Sequence, residues 1–195
     1  MWTREVLLYN VNSINMKKIL LTITVLFSFA TQAQVTKVSI QASGLTCSMC
    51  SNAINKALRS LDFVDKVDAN IKNSTFDISF KPDHTVDFDK LKKKVEDAGF
   101  FVANFVATIH FDNAVVTNDK HTTINGTVFH FLNVTDQTVN GDKQIRFIDK
   151  GFVSAKEFKK NSRFTVMQCY QTGVAEACCT KDKLAKGTRI FHVTI

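Results

Sequence analysis

The sequence predicts an α+β protein: a split βαβ module of order β-α-β-β-α-β over residues 34–104, then a small all-β domain over 105–195. Three observations predict this. Apolar residues alternate with period two in 35–42, 64–71 and 75–80. They recur at helical spacing in 51–61 and 85–98. Beyond residue 105 only short strand-like runs remain, separated by glycine turns.

In the first strand Val38, Ile40 and Ala42 alternate with Lys37, Ser39 and Gln41. Ala53, Ile54, Ala57, Leu58 and Leu61 then line one face of a helix whose other side carries Asn52, Asn55, Lys56 and Arg59. Val64, Val67, Ala69 and Ile71 restore the strand period, as do Phe76, Ile78 and Phe80, with Asn73-Ser74 as the hairpin turn between them. Pro82 lacks a ladder donor and Asp83 favours chain reversal, so the strand ends there. Thr85 or Asp87 caps a second helix that buries Phe88, Leu91, Val95 and Ala98 and stops at Gly99. Residues 101–105 complete the module, and 106–111 either prolong that strand or open the next domain.

The remaining strand candidates are 106–111, 122–133, 144–148, 163–170 and 188–195, with turns at Asn125-Gly126, Asn140-Gly141, Gly151 and Gly173 and one short helix near 154–160. Five strands and a helical turn suit a closed OB-like barrel, because closure removes the exposed edges of an isolated sheet. An immunoglobulin-like sandwich is the alternative.

Residues 1–33 read as a leader and signal peptide: Lys17 and Lys18 form the positive end, 19–30 the apolar segment and Thr31-Gln32-Ala33 the cleavage site. The expected product is exported to the periplasm or secreted, with no stable membrane insertion after cleavage. The net charge of +7 is modest. Its densest clusters, Lys92 to Lys94 and Lys159-Lys160, lack interleaved aromatics, so no nucleic-acid partner is expected.

The strongest chemical signal is Gly44-Leu45-Thr46-Cys47-Ser48-Met49-Cys50, lying between the first strand and the first helix. Two thiols three residues apart at a helix start converge on one small ion, and the backbone N–H groups there favour thiolates. Thiolates select Cu(I), Hg(II) or Zn(II) over hard ions, and two of them suit near-linear coordination better than structural zinc. Cys47 and Cys50 are therefore the candidate metal ligands, and Met49 beside them is read as an exposed filler. Disulfide exchange is the competing reading, but the chain lacks a thioredoxin-like strand order and a proline opposite the pair. No hydrolase motif, phosphate loop or paired-acid arrangement is present, so enzymatic activity is not expected.

That heptapeptide, the β-α-β-β-α-β pattern and Asp97-Ala98-Gly99-Phe100 together resemble the heavy-metal-associated domain family over about residues 35–102. The family includes copper chaperones, metal-binding modules of copper-transporting P-type ATPases and periplasmic mercury-binding proteins. The resemblance implies a ferredoxin-like fold and one ion shared by Cys47 and Cys50. Leu45 stands where the family most often has methionine, a change of fit more than of chemistry. Phe100 falls in the loop that lies beside the metal in relatives, where it either shields the ion or packs into the core. The implied function is an exported soft-metal carrier that hands its ion to a protein partner by thiolate exchange, with Cu(I) favoured, Hg(II) next and Zn(II) third. The alternatives are a metal- or redox-sensing interaction module and a thiol–disulfide oxidoreductase.

The chain has five cysteines, an odd count that prevents complete pairing. Cys169 is expected at the end of a strand, bridged to Cys178 or Cys179; the alternative is a second soft-metal site formed by all three. His84, His110, His121, His130 and His192 show no compact ligand spacing. His130 and His192 read as sheet positions, and His121 as a loop residue able to bind an ion only with a distant partner.

Overall fold

Alternation places Val38, Ile40 and Ala42 of β1 (Val35–Ser43) on one buried side, while Lys37 and Gln41 stay exposed on the other. The computed structural model describes residues 35–45, 47–82 and 84–195. The leader expected at 1–33 lies outside them. α1 (Ser48–Arg59) covers the apolar side of β1 with Ile54 and Leu58, both fully buried, and with Ser51 in place of the outward-facing Ala53. Lys56 and Arg59 in its last turn oppose the negative end of the helix dipole.

β2 (Val64–Asn70) and β3 (Thr75–Phe80) form the expected antiparallel hairpin, with Val67 opposite Ile78. β2 is an edge strand, and Ile71 just beyond it is 59% exposed rather than inward. α2 (Phe88–Asp97) begins at Asp87, whose carboxylate accepts from the Lys90 N–H at 2.9 Å. Its end is a Schellman turn: Gly99 N–H donates to the Glu96 carbonyl and Phe100 N–H to the Val95 carbonyl. That turn requires the positive φ of +90° that Gly99 supplies. Lys93 pairs with Asp97 at 2.7 Å and Lys92 reaches over the Phe152 ring, so two of the three clustered lysines are engaged within the molecule.

The second half departs from expectation. The boundary predicted after residue 104 falls inside β4 (Phe101–Val116), which pairs with β1 from Phe101 to Ile109 and with β7 (Gln137–Phe147) from Val106 onward. A register shift opposite Gln41 and Ala42 moves the buried positions from Val102 to Phe105, Ala107, Ile109 and Phe111, and pairing with β1 continues on both sides of the proposed boundary. With β5 (Lys120–Ile124), β6 (Thr127–Phe131) and β8 (Ile190–Thr194), the sheet has eight strands in the order β2-β3-β1-β4-β7-β8-β6-β5. The first four have the ferredoxin-like order.

No closed barrel forms among the described residues. β4 spends its free edge on β1, while β5 pairs only with β6, so the two ends never meet. The predicted strand at 163–170 is instead a short 3-10 turn, Ser162–Phe164, and the start of α4 (Cys169–Thr172). Val166 there is 99% exposed, and the segment from α3 (Ala155–Asn161) onward lies over one face of the sheet.

That covering segment explains why β6 and β8 are apolar nearly throughout. Phe129, Phe131, Phe191 and Val193 belong to the large core shared with α2, whereas Val128 and Ile190 pack with Cys169 and Cys179 on the opposite face. A strand buried on both sides loses its alternation of apolar and polar residues. All described residues belong to one compact unit, Ala33–Ile195.

Candidate metal centre

Gly44 turns the chain out of β1 with φ +87°, a conformation that costs a side-chain-bearing residue about 1–2 kcal/mol. Leu45 packs against the core, as expected for an anchor. Cys47 is the N-cap of α1: its sulfur accepts from the Cys50 N–H at 3.4 Å. The two Sγ atoms lie 2.7 Å apart, Cys47 exposed and Cys50 half-buried. Hydrogen bonds from the Cys50 side chain and backbone hold the Cys47 thiol below its usual pKa. Met49 is 81% exposed and so is not a core residue.

Of the two readings offered for Phe100, core packing is the one observed. It packs on the core, and its ring edge would lie 3.9 Å from a Cβ on Gly44, so it also borders the thiol loop. Local sequence places this site because the loop, the N-cap and both sulfurs fall within one strand-to-helix connection.

The C-terminal cysteines are arranged differently from expectation. All five thiols are free, so the bridge from Cys169 to Cys178 or Cys179 is not formed. Cys169 opens a helix rather than ending a strand, and its sulfur lies 3.7 Å from His121 Nε2 and 3.8 Å from His130 Nδ1. The sequence places these three residues far apart. The available signal was Gly173, whose φ of +74° and N–H bond to the Cys169 carbonyl mark a helix end in a segment read as a strand. His110 pairs with Asp142 on the surface, and His84 bonds the Pro82 carbonyl; neither approaches a thiol cluster.

Burial, together with the neighbouring His192 and His121, depresses the His130 pKa to about 3, hydrogen bonding to Asp119 offsetting this only in part. The folded state therefore holds His130 neutral where the unfolded chain protonates it near pH 6.5. Below that value the unfolded state binds the extra proton, so metal-free protein should lose up to about 1.4 kcal/mol of stability per pH unit as pH falls from 6.5 towards 3. Urea midpoints of the parent and His130→Gln between pH 7 and pH 5, in chelator, check this: the parent should show the steeper fall.

Comparison with known proteins locates the similarity in the first half. The heavy-metal-associated domain model matches residues 39–101. The mercuric transport protein periplasmic component of Pseudomonas fluorescens is 35% identical over 63 residues, 32% of this chain and 68% of that protein. Copper chaperone CopZ of Staphylococcus aureus is 29% identical over 63 residues, 32% of this chain and 91% of the chaperone. The probable copper-exporting P-type ATPase of Archaeoglobus fulgidus is 32% identical over 71 residues, 36% of this chain, but the chain spans only 9% of that transporter's length. The family match ends at residue 101, ahead of every member of the histidine–cysteine cluster.

Proposed function

Because this chain belongs to the heavy-metal-associated domain family through residues 39–101, we propose that it binds one soft metal ion at Cys47 and Cys50 and passes it to a partner protein. The observation behind this is the pair of free thiols, 2.7 Å apart at an exposed helix start inside the matched segment. Cu(I) is the favoured cargo, since a copper chaperone and a copper-exporting ATPase are among the relatives. Hg(II) is second, from the mercuric transport relative, and Zn(II) third.

Loading releases the thiol protons as two metal–sulfur bonds form. Cys47, whose thiol is held below its usual pKa and which faces solvent, is the sulfur a partner's thiolate meets first. The partner adds a third bond, one of the two original bonds breaks, and the ion moves across without change of oxidation state. No organic bond is made or broken, so the protein acts as a carrier and not as an enzyme. The leader expected at 1–33 from the sequence would direct export to the periplasm or beyond.

Anaerobic native mass spectrometry with Cu(I), Hg(II) and Zn(II), each offered alone, tests the reading. One ion should disappear from the spectrum of Cys47→Ser/Cys50→Ser, and transfer of Cu(I) to a competing dithiol should slow in either single variant. Unchanged loading of the double variant would remove the proposal.

A further inference from the structure

His121, His130 and His192 form a row across three strands. His121 is the register partner of His130 between β5 and β6, and His130 of His192 between β6 and β8. Their rings stand 4.4 and 5.0 Å apart, centroid to centroid. Cross-strand partners share a face, so register alone aligns residues separated by dozens of positions in sequence.

The segment covering that face brings sulfur to the row. Cys169 at the start of α4 meets His121 and His130, while the 3-10 turn Ala177–Asp182 supplies Cys178 and Cys179, whose sulfurs are 3.5 Å apart. Ligand atoms of His121, His130 and Cys169 all lie within 4.8 Å of one another, as do those of Cys169, Cys178 and Cys179. Zinc–sulfur and zinc–nitrogen bonds of about 2.3 and 2.0–2.1 Å at a tetrahedral angle put sulfur and nitrogen about 3.6 Å apart. The observed 3.7 and 3.8 Å are close to that spacing.

The outer nitrogens strengthen the case. His121 Nδ1 bonds Asp182 Oδ2 at 2.5 Å, and His130 Nε2 bonds Asp119 Oδ1 at 3.0 Å. A carboxylate on one ring nitrogen takes that N–H and leaves the other nitrogen as a lone pair, the arrangement that orients metal-bound histidines. Both lone pairs face Cys169, whose single S–H proton satisfies only one of them. The His121 and His130 side chains are 2% and 0% exposed, so solvent offers the other little relief.

We propose that His121, His130 and Cys169 form a second metal centre that takes one Zn(II) ion, its fourth ligand a thiol of the Cys178–Cys179 pair, which lies within 4.8 Å of the Cys169 sulfur and closes on the ion as it binds. Two imidazoles and two thiolates match tetrahedral zinc, and two thiolate charges neutralise the divalent ion in a buried setting where an uncompensated charge is costly. Binding releases two protons, one from each ligating thiol, and changes no oxidation state. The centre lies outside the family match and is independent of the Cys47–Cys50 reading. It would pin the C-terminal covering segment to β5 and β6.

The test uses the full chain carrying Cys47→Ser/Cys50→Ser, reduced and stripped with chelator, then titrated anaerobically with Co(II) and next with Zn(II). One equivalent of Co(II) with a sulfur-to-cobalt charge-transfer band, displaced by one Zn(II), is expected, and zinc should raise the thermal midpoint. Asp119→Asn and Asp182→Asn should each weaken affinity about 10–100-fold. Cys169→Ser with His121→Gln should abolish the band. Should that variant fail to fold, X-ray absorption of the zinc-loaded parent still decides the point through its ligand set. Two sulfurs and two nitrogens support the centre. Failure to bind either ion, a set without sulfur, or an affinity indifferent to both aspartates overturns it.

Discussion

Phe147→Ala is expected to destabilise the protein by about 3–5 kcal/mol and to lower the stability of both halves together. The Phe147 ring is fully buried, with the rings of Phe88 and Phe105 at 4.8 Å, Phe152 at 5.2 Å, Phe191 at 5.5 Å and Phe129 at 6.3 Å between centroids. Phe88 comes from α2, Phe105 from β4 opposite Ile40 of β1, and the others from beyond residue 128, so one truncation opens a cavity in a core that both halves share. Urea unfolding followed by far-ultraviolet circular dichroism and by the reactivity of the buried thiols Cys169 and Cys179 should give one coincident transition, moved to lower urea in the variant. Separate transitions, with the first half unaffected, would show that the halves fold independently despite their common sheet.

Asp149→Ala is expected to cost about 3–5 kcal/mol, through charge rather than volume. The Asp149 side chain is 3% exposed, and its carboxylate receives His192 Nδ1 at 2.5 Å and ion-pairs with Arg189 Nη2 at 3.1 Å. Arg189 also grips Asp89 of α2 through both carboxylate oxygens, at 2.8 and 3.1 Å, and donates to the Gly173 carbonyl. Removing Asp149 strands a buried imidazole, whose Nε2 has no partner among the described residues, beside a cation that has lost half its compensation. Asp149→Asn keeps an acceptor and should cost less than alanine, while Asp89→Ala, at a carboxylate 42% exposed, should cost about 1 kcal/mol or less. Denaturant midpoints for the three variants check this ranking; equal costs for Asp149→Ala and Asp89→Ala would contradict it.

The first half was legible because each of its signals is local. A period of two or 3.6, a cap at Asp87, a stop at Gly99 and two thiols in one turn are all written within a few residues of where they act. The second half was not legible for two reasons. β6 and β8 are buried on both faces, which erases the alternation that reports orientation, and β4 runs through the expected boundary without a glycine or proline to mark its shared role. Reading 163–170 as a strand then placed Cys169 on the wrong kind of element and concealed its histidine neighbours.

By itself, the amino-acid order determined the ferredoxin-like module and the placing of Cys47 and Cys50 at its first helix start, since backbone preference and hydrophobic period act over a single turn or strand. Only the tertiary structure decided that residues 105–195 extend the same sheet, and that His121, His130 and Cys169 meet. The physical reason is that strand register and the docking of a covering segment are set by which apolar faces can be buried together, a choice made by the whole chain at once.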